Sequence, residues 1–385
     1  MIHEASMMMF RTGTVVLPLH GGKAPSWLTG RMRGLAREIA DIIIDQYGTD
    51  KFIQRLSDPY WFQALGCVLA YDWHSSGVTT VVTGILKTAL NPKEHGIAVC
   101  GGKGKTSRKT PSDIQTVSET WGFSQETIEE LTYTSRMTAK VDNTAVQAGY
   151  QLYHHAFLIT KEHKWAVIQQ GMSDQDRTAR RYHWLSDNTR NFVVEPHNAI
   201  VCNVRREKAL NMVAKVSEEA RKASVDLAKE PPKKLMGLIQ SANKPINQAS
   251  LQAWLPKTDD PWIQTQTTLN MPRNINWDTI SRLYEFQPQN YEELLSVKGV
   301  GPATVRGLAL VAELIYGEEP SWMDPVKFSF AYGGKDGVPF PVDRRAMDES
   351  IEILKKSVEE AKIGETDRLR SLQRLRKFVP PNENS

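Results

Sequence analysis

Apolar positions shift between helical and strand spacing along the chain. Leu28, Met32, Leu35, Ile39 and Ile43 recur every three or four residues, predicting one long helix over Trp27–Tyr47 and a short one over Lys51–Leu56. From Trp61 the apolar residues run together into a buried element that stops at a polar turn, Asp72–Gly77. Helical spacing then returns over Val78–Leu90. Ile97–Cys100 is an unbroken apolar run, as a buried strand requires, and it empties into Gly101-Gly102-Lys103-Gly104-Lys105. The order strand, helix, strand from Trp61 to Cys100 predicts a βαβ-type unit. Thr14–Leu19 reads as a further strand, running into His20-Gly21-Gly22-Lys23.

Ser135–Ala148 has helical spacing. Gln151–Thr160 alternates as a strand and Trp165–Gln170 is its hairpin partner across Lys161–Lys164. Arg177–Trp184 interleaves arginines with aromatics. It fits either a nucleic-acid contact or a helix that packs Tyr182 and Trp184. Val193–His197 reads as a strand tip. Arg205–Lys229 reads as one charged helix ending at the hinge Glu230-Pro231-Pro232. Helices follow over Lys233–Ser241, Asp278–Tyr284 and Tyr291–Val297, with irregular chain over Lys244–Pro272. After Pro302 a helix carries Val305, Leu308, Ala309, Ala312 and Ile315 on one stripe and ends at Gly317. The predicted architecture is an α/β N-terminal domain (1–205), a linker helix (206–232) and an all-α domain (233–385).

Composition narrows the function classes. The chain has 385 residues, 40% hydrophobic and 24% charged, enough for two ordinary globular domains. A net charge of +4 means that any nucleic-acid surface is a local patch, not a global field. One such patch, or else a solvated helix face, is Arg368, Arg370, Arg374, Arg376 and Lys377. No apolar run is long enough to span a membrane, and the first ten residues lack a basic leader. The expected location is therefore cytoplasmic, with the nucleoid. Cys67, Cys100 and Cys202 are odd in number and without metal-ligand spacing, so core packing is expected of them.

The richest chemistry lies at element ends. Lys298-Gly299-Val300-Gly301-Pro302 joins two apolar helices. Its glycines allow a tight reversal, and its backbone N–H groups form an anion site at a helix start. The pattern resembles the helix–hairpin–helix motif of DNA repair proteins. That resemblance implies a hairpin, Lys298–Gly301 with Thr304, gripping one strand's phosphates in the minor groove without reading sequence. Lys23, Lys103, Lys105, Arg108, Arg180 and Arg181 are further candidates for phosphate contact. His154 and His155 are neighbours on a strand and must face opposite sides of its sheet. With His20, Asp72, His74, Glu195 and His197 they are the candidate acids, bases or nucleophiles. The same histidines and His183, with Asp72, Asp142 and Glu195, are the donors available to a divalent metal ion, but no spacing assigns a ligand set.

Two further resemblances concern the reaction. The hairpin around His154 and His155 resembles that of phospholipase-D-like nucleases, which implies a histidine nucleophile. It departs in having Ala156 and Phe157 where a lysine belongs, and Gln170-Gly171-Met172-Ser173 in place of GSxN. Val338–Asp343 resembles the Pro-Val-Asp of helix–hairpin–helix DNA glycosylases, implying that Asp343 stabilises a sugar cation. The lysine of bifunctional members is replaced by Ala303. Over nearly the whole chain, the motifs HGGKAP, DWHSSG, GGKGKTSRKTP, YQLYHH, RRYHWLS and EPH resemble an archaeal and bacterial domain-of-unknown-function family, which implies membership but no activity. The expected function is DNA binding in repair or processing, with nuclease action on the backbone of damaged or branched DNA. The alternatives are a base-excision glycosylase or abasic-site lyase, and a non-catalytic scaffold. Self-association is compatible with each of them.

Overall fold

The computed structural model describes residues 26–69, 77–175, 177–202, 204–243, 271–272, 274–326 and 344–378. Helix α1 (Ser26–Ser57) carries the predicted Leu28–Ile43 stripe. Gly48, at φ 83°, breaks it so that the expected short helix is its last segment. Asp58 caps α2 (Pro59–Val68), accepting from the N–H groups of Tyr60 and Trp61 at 2.8 Å each. The βαβ expectation fails here, because the apolar run from Trp61 is a helix buried nearly all round. The Asp-Pro start decides between helix and strand where periodicity cannot. Next come α3 (Gly77–Ala89), the short α4 (Pro92–His95) and β1 (Ile97–Lys103).

After a 3₁₀ turn at Gly104–Lys109, α5 (Thr110–Trp121) and α6 (Gln125–Lys140) stand side by side. The helix predicted to reach Ala148 stops at Lys140. A π-turn over Val141–Ala145 leads into β2 (Val146–Gln147). The long helix predicted over Arg205–Lys229 is also shorter, since β7 (Leu210–Asn211) pairs with β2 and α7 covers only Glu218–Ala228. Ala209, Leu210, Met212 and Val213 are all buried, a contiguous apolar set that a surface helix could not hide.

The main sheet adds β3 (Gln151–Thr160), β4 (Trp165–Ser173), β5 (Thr178–Leu185) and β6 (Ala199–Val201) to β1, in the order β1-β3-β4-β5-β6. Every neighbouring pair is antiparallel. Arg177–Trp184 is thus neither loop nor helix but for the most part a central strand. The predicted strand tip Val193–His197 is a turn, with Glu195 at φ 44°.

Side-chain alternation gives the sheet two covered faces. Phe157, Ile159, Val167, Tyr182 and Trp184 join α6, α7, α8 (Pro232–Asn243), α9 (Trp277–Phe286), α10 (Tyr291–Ser296) and α11 (Pro302–Tyr316) in one core. Ala156, Leu158, Ala166 and Ile168 face α1, α2 and α3. Leu354 and Val358 of α12 (Arg344–Glu360) and Leu375 of α13 (Glu365–Phe378) complete that second core. The fold is mixed α/β, helices on both sides of an antiparallel sheet. Among the described residues no helix is long and apolar enough to cross a membrane.

Candidate functional site

Strand register sets polar residues side by side across the middle of the sheet. His154 stands between Lys103 and Gln170, with Arg181 beyond. His155 stands between Gly102 and Gln169, with Tyr182 beyond. Both histidines are nearly buried, at 1% and 6% exposure, and they point to opposite faces as strand alternation demands. On the α3 face His154 Nε2 meets Thr83 Oγ1 at 3.0 Å, and Gln170 bonds to Thr79 and Tyr153. On the α6 face His155 Nε2 meets Ser135 Oγ at 2.9 Å, and its Nδ1 meets Gln169 Oε1 at 2.8 Å.

The second arrangement continues inward. Gln169 Nε2 donates to Asp142 Oδ2 at 2.6 Å, and the same oxygen accepts from Trp184 Nε1 at 3.0 Å. Asp142 Oδ1 faces His197 Nε2 at 2.5 Å. These contacts fix the proton positions. Gln169 must turn its N–H₂ towards the carboxylate, so its carbonyl accepts from His155 Nδ1–H. His155 Nε2 then carries a lone pair aimed at the Ser135 hydroxyl. Burial lowers His155 to about 4 and, with His155 and Lys103 nearby, His154 to about 3. Both are neutral at pH 7. Burial raises the Asp142 carboxyl, and His197 opposes the shift.

Ser135, His154 and His155 line a cavity of about 240 Å³ whose rim includes Arg108, Arg136, Ser107 and Tyr153. The predicted Gly101–Lys105 turn is instead the end of β1 and the start of the 3₁₀ turn, and it is firmly anchored. Asp113 Oδ2 accepts from the Gly101 N–H at 2.9 Å, and Lys87 Nζ bonds to both Gly101 O and Asp113. At φ 84°, a Cβ on Gly101 would lie 2.4 Å from His155 O, so only glycine lets β1 pass β3 here. Lys103, Lys105 and Arg108 are exposed.

The glycine hairpin is mounted on the same helix. Gly299 takes φ 98°, and Val300 is buried beneath it at 2% exposure. Lys298 and Gly299 are exposed, whereas Thr304 is buried. No side chain caps α11. Lys140 Nζ donates to Val300 O at 2.6 Å and Gln147 Nε2 to Pro302 O at 2.9 Å. Lys140 is four residues beyond Arg136 on α6, so the cavity rim and the hairpin's anchor share one helix stripe, about 6 Å apart along the axis.

Other expectations need correction. Arg180 and Arg181 are 0% and 1% exposed, so neither offers a free guanidinium to DNA. Arg180 makes a two-pronged ion pair with Asp324 at 3.0 and 2.6 Å, and Arg181 bonds to Gln63 Oε1 at 3.1 Å. Glu195 and His197 do not line the cavity of His154 and His155, although His197 reaches Asp142 from the far side. They line a second cavity of about 310 Å³ with Arg205, Asn211 and Asp324. His20, Lys23, Asp72, His74 and Asp343 lie outside the described residues, as does the side chain of Arg376. Among the described residues no three His, Cys, Asp or Glu side chains gather as a metal-holding cluster. The three cysteines are buried and form no disulfide, and burial pushes the Cys100 thiol up to about 12.

Sequence reasoning missed Ser135, Gln169 and the orienting role of Asp142. A signal for Ser135 exists: Thr134, Ser135 and Thr138 occupy buried positions of α6 beside Leu131, placing hydroxyls where a helix normally buries hydrocarbon. No curated protein and no solved structure gives a significant match to the chain. Residues 13–342 match the family model described as Protein of unknown function (DUF763), and the chain belongs to that family.

Proposed function

We propose that this chain binds DNA by its sugar–phosphate backbone and processes a phosphodiester in the cavity at His155. One observation carries the proposal. The hairpin and the His155 cavity are both fixed to α6, one helical turn apart, through Lys140 and Arg136. A strand held by the exposed Lys298–Gly299 corner and the α11 N-terminus would thus run past a cavity rimmed by Arg136 and Arg108. Val300 is buried while Lys298 and Gly299 are exposed, which supports reading the hairpin as a backbone-gripping corner. The expected duty is repair or processing of damaged or branched DNA. The phospholipase-D-like expectation gave a histidine the part of nucleophile. Here the His155 Nε2 lone pair faces a serine hydroxyl, so the base role suits it better.

Fluorescence anisotropy with duplex, nicked and branched DNA tests the binding half. Binding should weaken steeply between about 50 and about 200 mM salt, and Lys298→Ala should weaken it on all sequences alike and reduce the salt slope by about 1. A cleavage panel with His155→Ala tests the other half. Absence of DNA binding at low salt sinks the proposal.

A further inference from the structure

We infer that Ser135 is a nucleophile, activated by His155, that attacks a phosphorus centre entering the Arg108–Arg136 cavity. The substrate class rests on the DNA-processing proposal above, whereas the nucleophile and its base stand on the geometry alone. Ser135 Oγ lies 2.9 Å from His155 Nε2, within reach for proton transfer. The 2.8 Å contact from Nδ1 to Gln169 Oε1 and the 2.6 Å contact from Gln169 Nε2 to Asp142 fix the imidazole tautomer. A nucleophile, a base and an orienting group thus stand in line, as activated hydroxyls require. The two arginines at the rim supply positive charge where a phosphoryl group would gather negative charge.

The step balances without any added reagent. The Ser135 hydroxyl proton passes to His155 Nε2 as the Oγ–P bond forms. The bond from phosphorus to the leaving sugar oxygen breaks, and His155 returns its proton to that oxygen. Water then repeats the sequence: His155 takes a proton, hydroxide oxygen bonds to phosphorus, and the Oγ–P bond breaks with Ser135 regaining its proton. Gln169 and Asp142 are positioning residues in this scheme.

Diisopropyl fluorophosphate, a phosphoryl fluoride that needs no knowledge of the natural substrate, tests it on the full chain. Intact mass and peptide mapping should find one diisopropylphosphoryl group on Ser135. Labelling should vanish in Ser135→Ala and slow about 100-fold or more in His155→Gln, which keeps a polar group of similar reach. Circular dichroism spectra check that each variant folds. Lys222→Ala, at an exposed position of α7 that lines neither the cavity nor the hairpin, should label at the wild-type rate. Labelled Ser135 in a protein that cleaves no DNA supports the nucleophile and overturns the DNA-processing proposal. Cleavage of DNA that survives Ser135→Ala, or a folded wild-type chain that is never labelled at Ser135, overturns the inference.

Discussion

Asp142 has no exposed surface, and three donors, from Gln169, Trp184 and His197, converge on its two oxygens. Its charge decides which way the Gln169 amide faces, and thereby which nitrogen of His155 carries the proton. Asp142→Leu removes that acceptor. Gln169 then loses the carboxylate that holds its N–H₂ inward and turns it towards His155 Nδ1. The imidazole would then be protonated at Nε2 and could no longer accept from Ser135. We expect a folded protein whose Ser135 phosphorylation by the fluoride probe drops on the order of 10²- to 10⁴-fold. An unchanged labelling rate would show that Asp142 has no part in orienting the base. At this scale the sequence was only partly legible. Neighbouring histidines on an alternating strand had to face opposite ways, and they do. Arg180 and Arg181 looked like surface cations because their partners are remote, Asp324 lying 144 positions away and Gln63 118. No local pattern announces a buried ion pair of that span.

Elements were legible where local chemistry and periodicity agreed. The hairpin helices fall where Asn290, Pro302 and Gly317 place them, since Asn290 caps α10 and Gly317 closes α11 at φ 76°. The strands around His154 and His155 lie within a residue or two of their predicted positions, apart from a three-residue extension of β4. Errors arose where an apolar run allowed two answers, as at Trp61, or where a helix start was read across a strand, as at Leu210. The hairpin also shows what its glycine is for. A Cβ at Gly299 would stand 2.4 Å from Thr279 Oγ1 and 2.7 Å from Arg282 Nη2, at a φ of 98° that side chains seldom adopt. Gly299→Ala should therefore cost about 1–3 kcal/mol and push the hairpin away from α9. Chemical denaturation would measure the loss, and DNA binding should fall with it. Gly301 has no such constraint, its φ being −138° and its nearest neighbour 3.8 Å away. Gly301→Ala serves as the control, and equal losses from both substitutions would discredit the close-packing explanation.

Over the whole molecule, one sheet serves two cores, with His154 and His183 buried towards one and His155 towards the other. His154 faces the α3 side and His155 the α6 side. Their ordinary value is 6.5, and burial holds them at about 3 and about 4 in the folded protein. The unfolded chain therefore binds protons that the native state refuses. The stability tied to these groups is fully present above pH 6.5 and is lost as pH falls towards the folded values. Each histidine removes about 1.4 kcal/mol per pH unit in that window, so between pH 6.5 and about pH 5 each contributes a loss of about 2 kcal/mol. Asp142 acts in the opposite sense, because its carboxyl is raised on folding and gains a proton in the native state first. The difference between variants isolates the histidine. In urea denaturation, His155→Gln should lose about 2 kcal/mol less than wild type over the same pH interval, whatever its stability at pH 7. Parallel losses in the two proteins would mean that His155 protonates in the folded state at its ordinary value. An imidazole so accessible to water would not be held as a neutral base against Ser135, and the case for the activated serine would weaken with it.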